Sequence, residues 1–395
     1  MHNNLEEKEY HIYILAGGMG KRMKSELPKV CVDFLGKPML VHLIQECLKT
    51  KTKKIFVVVG KFKSIIEKIL NKYNLLSHIE FVIQNNANGT GHAVMCGVQQ
   101  ISKLNNQSNL VILYGDTPLT SAKLIHQLGI SNNTTLLARN TNDNFGLGRI
   151  ITNNNNYEFI DIVEEKDAND EQKKITLVNT GLYSFPIEDI ILNINKINNN
   201  NAQQEYYLTD LPKLIKVKKN IDIIEIPENN AFEVSGVNTP EQLKELENKF
   251  VSNNLTINEI SINDYNENLY KLFNQLSPTN EFTKSDFEKY LKRISNNNQK
   301  ILIVKLNNNI IATISYFIEE KILRNFSKAC HIEDVITDEK YRGFGIAKFM
   351  LNHVKNIAKN NNCYKIILNC NNLLSEYYLK QNFKKNGIMM EIRDL

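Results

Sequence analysis

The stretch Ile12-Tyr-Ile-Leu-Ala-Gly-Gly-Met-Gly-Lys-Arg-Met-Lys-Ser-Glu-Leu-Pro-Lys-Val30 runs an apolar segment into a glycine turn and then into clustered cations. Gly17, Gly18 and Gly20 lack a Cβ, so the turn is free to take positive φ and to bring backbone N–H groups close to phosphate oxygens. Lys21, Arg22 and Lys29 supply compensating charge, and Arg22 grips phosphate with two donors. Two familiar glycine patterns fit worse. Met23 stands where the dinucleotide fingerprint has its third glycine, and Arg22 stands where the P-loop has Ser or Thr after Gly-Lys. A plain strand-to-helix turn would use the same glycines; the continuation Leu27-Pro-Lys-Val30 favours a nucleotide-phosphate site.

Outward from that turn, apolar runs at Ile12–Leu15, Ile55–Val59, Ile79–Ile83 and Leu110–Leu113 alternate with amphipathic stretches at Pro38–Leu48 and Ser64–Leu70. The alternation predicts an α/β domain with a mainly parallel sheet and ligands at the carboxyl ends of its strands. Asp116 follows the run Leu110–Tyr114, which puts a carboxylate at the tip of a buried strand. There it is a candidate to hold Mg²⁺, a hard cation commonly bound by one or two protein oxygens plus phosphates and waters. Asn238 is a candidate for the second oxygen, although a cap or turn role fits either residue taken alone.

At 395 residues the chain exceeds the usual span of one hydrophobic core, so two domains are expected. Its 42% hydrophobic and 23% charged residues are those of a globular protein. Asparagine runs at Asn153–Asn156, Asn198–Asn201, Asn296–Asn298 and Asn360–Asn362 fall between apolar segments and read as loops. A formal charge of only +5, with both signs interspersed, argues against nucleic acid as a partner. The six cysteines are scattered and form no CxxC pair, which suggests reduced thiols in a cytoplasmic protein. No apolar stretch approaches the ~18 residues of a membrane span, and the first residues lack a signal-peptide core. A soluble, unsecreted protein is expected.

Leu15-Ala-Gly-Gly-Met-Gly-Lys-Arg-Met23 with Leu27-Pro-Lys-Val30 resembles the signature of sugar-1-phosphate nucleotidylyltransferases. Further segments narrow the resemblance to the N-acetylglucosamine-1-phosphate uridylyltransferases of the bacterial bifunctional type. They are Gln84 with Asn88-Gly-Thr-Gly-His-Ala93, Tyr114-Gly-Asp-Thr-Pro-Leu119, Gly146-Leu-Gly-Arg-Ile150, Ile162-Val-Glu-Glu-Lys-Asp-Ala168, Val178-Asn-Thr-Gly-Leu182, Asn200-Asn-Ala-Gln-Gln-Glu-Tyr-Tyr-Leu-Thr-Asp210 and Gly236-Val-Asn238. The resemblance implies a Rossmann-like nucleotidyltransferase domain over residues 1–252 that transfers uridylyl from UTP to a sugar 1-phosphate. It implies that Leu15, Ala16, Gly17, Gly18, Lys29, Gln84, Gly89, Thr90 and Asp116 bind the nucleotide, with Arg22 and Lys29 stabilising phosphate charge in catalysis. Tyr114, Gly148, Glu164, Asn179 and Asn238 would bind the sugar phosphate, and Asp116 and Asn238 would hold the metal. Without the resemblance, Glu164 and Glu165 would read as a solvated charge pair.

After about Phe250 the hexapeptide repeats that continue the bacterial enzymes are absent. Instead, Ile301–Lys305 and Ile310–Ile318 look like adjacent strands with a turn at Asn307–Asn309, and Tyr341-Arg-Gly-Phe-Gly-Ile-Ala347 leads into an amphipathic helix through Ala358. Arg342-x-x-Gly345-x-Ala347 resembles the pyrophosphate loop of GNAT-fold acetyltransferases, where a helix N-terminus favours an anion; an ordinary loop-to-helix turn would fit the hexapeptide alone. With Cys330-His-Ile-Glu-Asp-Val335, Asn362–Leu368 and Glu376–Phe383, residues from about 258 to 395 resemble eukaryotic-type glucosamine-6-phosphate N-acetyltransferases, which implies a GNAT-fold α/β domain over residues 253–395. The resemblance implies that Val335, Arg342, Gly343, Gly345, Ile346 and Ala347 bind acetyl-CoA. Glu333, Asp334 and Arg393 would contact the amino-sugar phosphate, and Tyr378 would stabilise or protonate the departing thiolate. Cys330, Cys363, Cys370 and Tyr377 are expected to be packing residues.

Three positions depart from that family: Leu374 replaces an asparagine, and Cys330 and Asn382 replace glycines. They leave open whether the acetyl acceptor is the 6-phosphate, the 1-phosphate or another amino sugar, and whether the second domain only binds acyl-CoA. The related acetyltransferases are dimers with shared sites, so a homodimer through residues after about 258 is expected.

Overall fold

The structure, a computed structural model, describes residues 8–153, 157–266, 269–387, 390 and 392. The chain divides into two compact units, Met1–Leu246 and Glu247–Leu395. The division falls within the helix Pro240–Asn254, a few residues before the boundary suggested by the motifs.

In the first unit the main sheet runs in the order Ile221–Ile226, Thr134–Asn140, Leu177–Pro186, Asn109–Tyr114, Tyr10–Leu15, Ile55–Val59, Ile79–Ile83. All neighbours are parallel except Leu177–Pro186, which runs against both of its partners, so the sheet is mixed and mainly parallel. Strands buried on both faces must be apolar at every position. Ile12, Ile14, Val57, Val59, Val111 and Leu113 enter one core with the helices Met39–Leu48, Lys63–Lys72 and Ala122–Gly129. Tyr13, Phe56, Val58, Leu110 and Ile112 enter the other, with Ala93, Ile190 and Leu211 from helices on the opposite face. This is why the strands appear in the sequence as unbroken apolar runs. Leu15 pairs with Tyr114, so the glycine turn and Asp116 leave adjacent strands at the same carboxyl edge.

The second unit is a five-stranded sheet in the order Leu255–Glu259, Gln299–Leu306, Asn309–Glu320, Lys328–Thr337, Cys363–Leu368. The first four are antiparallel and the last is parallel to its neighbour. Asn307 and Asn308 make the expected hairpin turn with φ of 50° and 65°, the left-handed pair that a two-residue hairpin loop requires. The helix Ile346–Asn360 buries Ile346, Met350, Leu351, Val354 and Ala358, a single apolar stripe. Phe287, Ile294, Ile301 and Ile303 belong to a separate core cluster. Asn382 sits at φ 64°, which explains how an asparagine replaces a glycine there; Cys330 is fully buried in a strand and has no such positive φ. Among the described residues no helix is long and apolar enough to cross a membrane.

Candidate active sites

Lys29 begins a short helical turn after Pro28, and its ammonium forms an ion pair with Asp116 while donating to Asn238 Oδ1 at 2.7 Å. Arg22 Nη2 donates to the same oxygen at 3.3 Å. Residues 22, 29, 116 and 238 thus converge on one spot. The backbone explains the convergence: Gly115 N–H is held by Leu15 O at 3.0 Å and Val237 N–H by Asp116 O at 3.0 Å, which draws the segment of Asn238 onto the strand tip. The Asp116 carboxylate and the Asn238 amide oxygen already share one cation, the Lys29 ammonium. Two hard oxygen donors that meet in this way fit a small divalent ion that completes its shell with phosphates. Among the described residues no group of three or more His, Cys, Asp or Glu is arranged for a metal.

The glycine turn differs from the expectation in one respect. Only Gly20 has positive φ, at 67°, and a Cβ there would lie 2.5 Å from Lys29 Cβ. Gly20 therefore makes room for the Lys29 stem, while Gly18 is exposed and a Cβ on Gly17 would sit 3.4 Å from Gln84 Oε1. Leu15 and Ala16 complete the strand end beside them.

Gln84 is buried and donates from Nε2 to Gly89 O at 3.1 Å, with His92 Nδ1 at the same distance. Gly89 has φ 105°, and a Cβ there would lie 2.5 Å from Tyr206 O. Thr90 Oγ1 accepts from Leu208 N–H at 3.1 Å. The segment 206–208 therefore clamps the loop from outside.

Gly148, Glu164 and Asn179 also come together. Asn179 N–H donates to Gly148 O at 2.8 Å, and a Cβ on Gly148 would meet Glu164 Oε2 at 3.4 Å. Glu164 accepts from Thr209 Oγ1 at 3.0 Å, and burial pushes its carboxyl above the usual range against the opposing pull of that hydrogen bond. Glu165 is not a solvated partner of Glu164: its Oε2 accepts from the fully buried Arg149 at 2.7 Å and from Gly146 N–H at 3.2 Å. Thr209, Tyr206 and Tyr183, which bonds Asn179, carry no assignment from residue type or spacing; Thr209 and Tyr206 lie inside a matched motif, and Tyr183 has no signal in the sequence.

In the second unit, Gly343 and Gly345 have φ of 84° and 77°, with Arg342 Nε bonded to Thr337 O at 3.1 Å. They deliver the chain into the N-terminus of the helix at Ile346 and Ala347. The pairing of Lys328–Thr337 with Cys363–Leu368 stops at Ile332 and Leu368. Beyond it, Asp334 takes φ 48° at a bulge, and Glu333 and Asp334 are exposed beside half-buried Val335. Tyr378 is buried against Tyr377 and Phe383, with ring centroids at 5.2 and 5.9 Å. Burial, with Tyr377 and Cys370 nearby, pushes its hydroxyl up to about 12. Tyr377 is half-buried, and Cys370 is exposed instead of packed because it follows the last strand. Arg393 lies outside the described residues.

Residues 12–135 match the MobA-like NTP transferase domain and residues 266–383 the Acetyltransferase (GNAT) family. The chain is 40% identical over 251 residues to a probable UDP-N-acetylglucosamine pyrophosphorylase of Acanthamoeba polyphaga mimivirus, covering 62% of this chain and 97% of that one. It is 40% identical over 241 residues to the bifunctional protein GlmU of Fervidobacterium nodosum, covering 60% of this chain and 49% of the relative. The chain thus spans about half the length of that relative. The crystal structure of glucosamine-6-phosphate N-acetyltransferase from Arabidopsis thaliana is 30% identical, covering 35% of this chain and 99% of that one, with a TM-score of 0.34.

Proposed function

Because the chain belongs to the UDP-N-acetylglucosamine pyrophosphorylase family of nucleotidyltransferases and continues into a GNAT acetyltransferase region, we propose that it is a bifunctional enzyme of UDP-N-acetylglucosamine synthesis. The first unit joins N-acetylglucosamine-1-phosphate to UTP and the second acetylates glucosamine-6-phosphate from acetyl-CoA. The observation that carries the first activity is the meeting of Lys29, Asp116, Asn238 and Arg22 at the strand tips.

A phosphate oxygen of the sugar 1-phosphate attacks the α-phosphorus of UTP, the bond to the β-phosphate breaks, and pyrophosphate leaves. Such chemistry is governed by positioning and charge neutralisation. Lys29 and Arg22 are cations within reach of the same oxygens, so both suit the phosphates. Asp116 and Asn238 would hold Mg²⁺, which neutralises phosphate charge when bound. Gln84 and the Gly89–Thr90 backbone suit the uracil edge and ribose, and Glu164 and Asn179 suit hydroxyl and acylamino groups.

In the second unit the amine attacks the thioester carbonyl and the thiolate of coenzyme A departs. A phenol with its pKa near 12 stays protonated at neutral pH, so Tyr378 suits donating a hydrogen bond that stabilises that thiolate, while the proton released by the attacking amine balances the thiol that forms. The helix N-terminus after Gly345 suits the pyrophosphate of coenzyme A. If the acceptor is the 6-phosphate, a phosphomutase must act between the two steps. Leu374 is half exposed where the related acetyltransferases have an asparagine, so the acceptor is the part of this reading to test first; with glucosamine-1-phosphate as acceptor the two steps would be consecutive. A homodimer formed through the second unit would cover exposed apolar residues such as Ile322, Leu323 and Phe326, and six free cysteines suit a reducing cytoplasm. Product analysis with acetyl-CoA and either glucosamine phosphate tests the acceptor: acetylation of glucosamine-1-phosphate alone would overturn the 6-phosphate assignment.

A further inference from the structure

Asn179 and Tyr183 are four residues apart on one strand, a spacing that separates Cα atoms by about 13 Å when the strand is regular. Here Asn179 Nδ2 donates to the Tyr183 hydroxyl at 2.6 Å. A bulge closes the distance. Asn179 pairs with Ala138 and Tyr183 with Leu136, so the segment Thr180–Leu182 faces Leu137 alone, and Gly181 within it takes φ 82°. A Cβ on Gly181 would lie 2.5 Å from the Tyr114 ring, so the bulge is also pinned against that tyrosine.

The bulge fixes which way the Asn179 amide points. Gly181 N–H, which can only donate, reaches Asn179 Oδ1 at 3.1 Å, and this turns the amide nitrogen toward Tyr183. Tyr183 is fully buried with its ring centroid 5.5 Å from that of Phe185, so its hydroxyl is not free to wander. One amide hydrogen is spent on Tyr183 and one remains. The Asn179 backbone is bonded to Gly148, which ties this amide to the wall that carries Glu164.

We propose that Tyr183 is a positioning residue that locks Asn179 as a hydrogen-bond donor toward the acyl carbonyl of the sugar phosphate, and so makes the site select N-acylated over unacylated sugars. The inference rests on the uridylyl-transfer reading above. A hydroxyl or free amine at the same sugar carbon offers no carbonyl to this donor, and a locked donor without a partner counts against the wrong substrate.

The test compares kcat/KM for N-acetylglucosamine-1-phosphate with those for glucosamine-1-phosphate and glucose-1-phosphate, in the full chain and in Tyr183→Phe and Asn179→Asp. Phenylalanine keeps the ring and its packing; aspartate keeps an acceptor for Gly181 and removes the donor. Both substitutions are expected to lower the preference for the acetylated substrate about 5–10-fold, mainly through its KM, with the KM for UTP within about twofold. A folded Tyr183→Phe with an unchanged preference would overturn the inference alone; if that variant does not fold, an unchanged preference in Asn179→Asp does so. A wild-type chain that makes no UDP-N-acetylglucosamine would overturn the parent reading and this inference with it.

Discussion

The Lys29 ammonium touches both Asp116 and Asn238, so its removal leaves a carboxylate uncompensated where phosphates must enter. Lys29→Met is expected to lower kcat/KM for uridylyl transfer by on the order of 10²-fold, as losing one preorganised charge donor does elsewhere; pyrophosphate release assays measure it. Neighbouring glutamates should behave differently. Glu164→Gln is expected to raise the sugar-phosphate KM with little loss of stability, because Glu164 faces Thr209 and the Gly148 wall. Glu165→Gln strips the charge partner from buried Arg149 and should cost about 2 kcal/mol in urea unfolding, less than a fully buried pair because Glu165 is partly exposed. Equal effects of the two substitutions on both readouts would contradict this division of labour. At Gly89, φ 105° and the closeness of Tyr206 O make Gly89→Ala strained, with an expected loss of about 1–3 kcal/mol in the same unfolding measurement.

Among the elements, the central strand Tyr10–Leu15 carries a liability at His11, which is 5% exposed with neither ring nitrogen partnered. Burial lowers its pKa below 6.5, with Glu9 opposing and Lys54 and Lys53 assisting. The unfolded chain therefore binds the extra proton first, so stability is complete above about pH 6.5 and declines as pH falls below it. His11→Phe should flatten the dependence of the melting temperature on pH between 5 and 7; an undiminished slope would contradict it. Strands such as Ile55–Val59 were legible because burial on both faces demands continuous apolar residues. The union of Asn179 and Tyr183 was not, since a bulge is a property of pairing with Ala138 and Leu136 and not of local composition. Likewise Glu164 and Glu165 look identical in sequence; what separates them is the buried Arg149, whose contact is made only in the folded chain. The glycine turn was legible as a special backbone, but the demand for glycine falls on Gly20, where Lys29 crosses it.

The whole chain divides into two units with separate cores, and this predicts separable activities. Asp116→Asn should abolish UTP consumption while leaving acetyl-CoA turnover within about twofold, since the substitution falls wholly within the first unit and the second has its own core; parallel loss of both would contradict it. Sedimentation should find a dimer that the second unit supports. The division was visible in the sequence as a change of motif near residue 250, and the acetyl acceptor was not, because Leu374 removes the polar group that would have announced it. The most direct test incubates the purified chain with UTP, Mg²⁺ and N-acetylglucosamine-1-phosphate and analyses the products. UDP-N-acetylglucosamine and pyrophosphate are expected in equal amounts; uridylylation of a different sugar 1-phosphate, with N-acetylglucosamine-1-phosphate left unused, would overturn the assignment of the first unit.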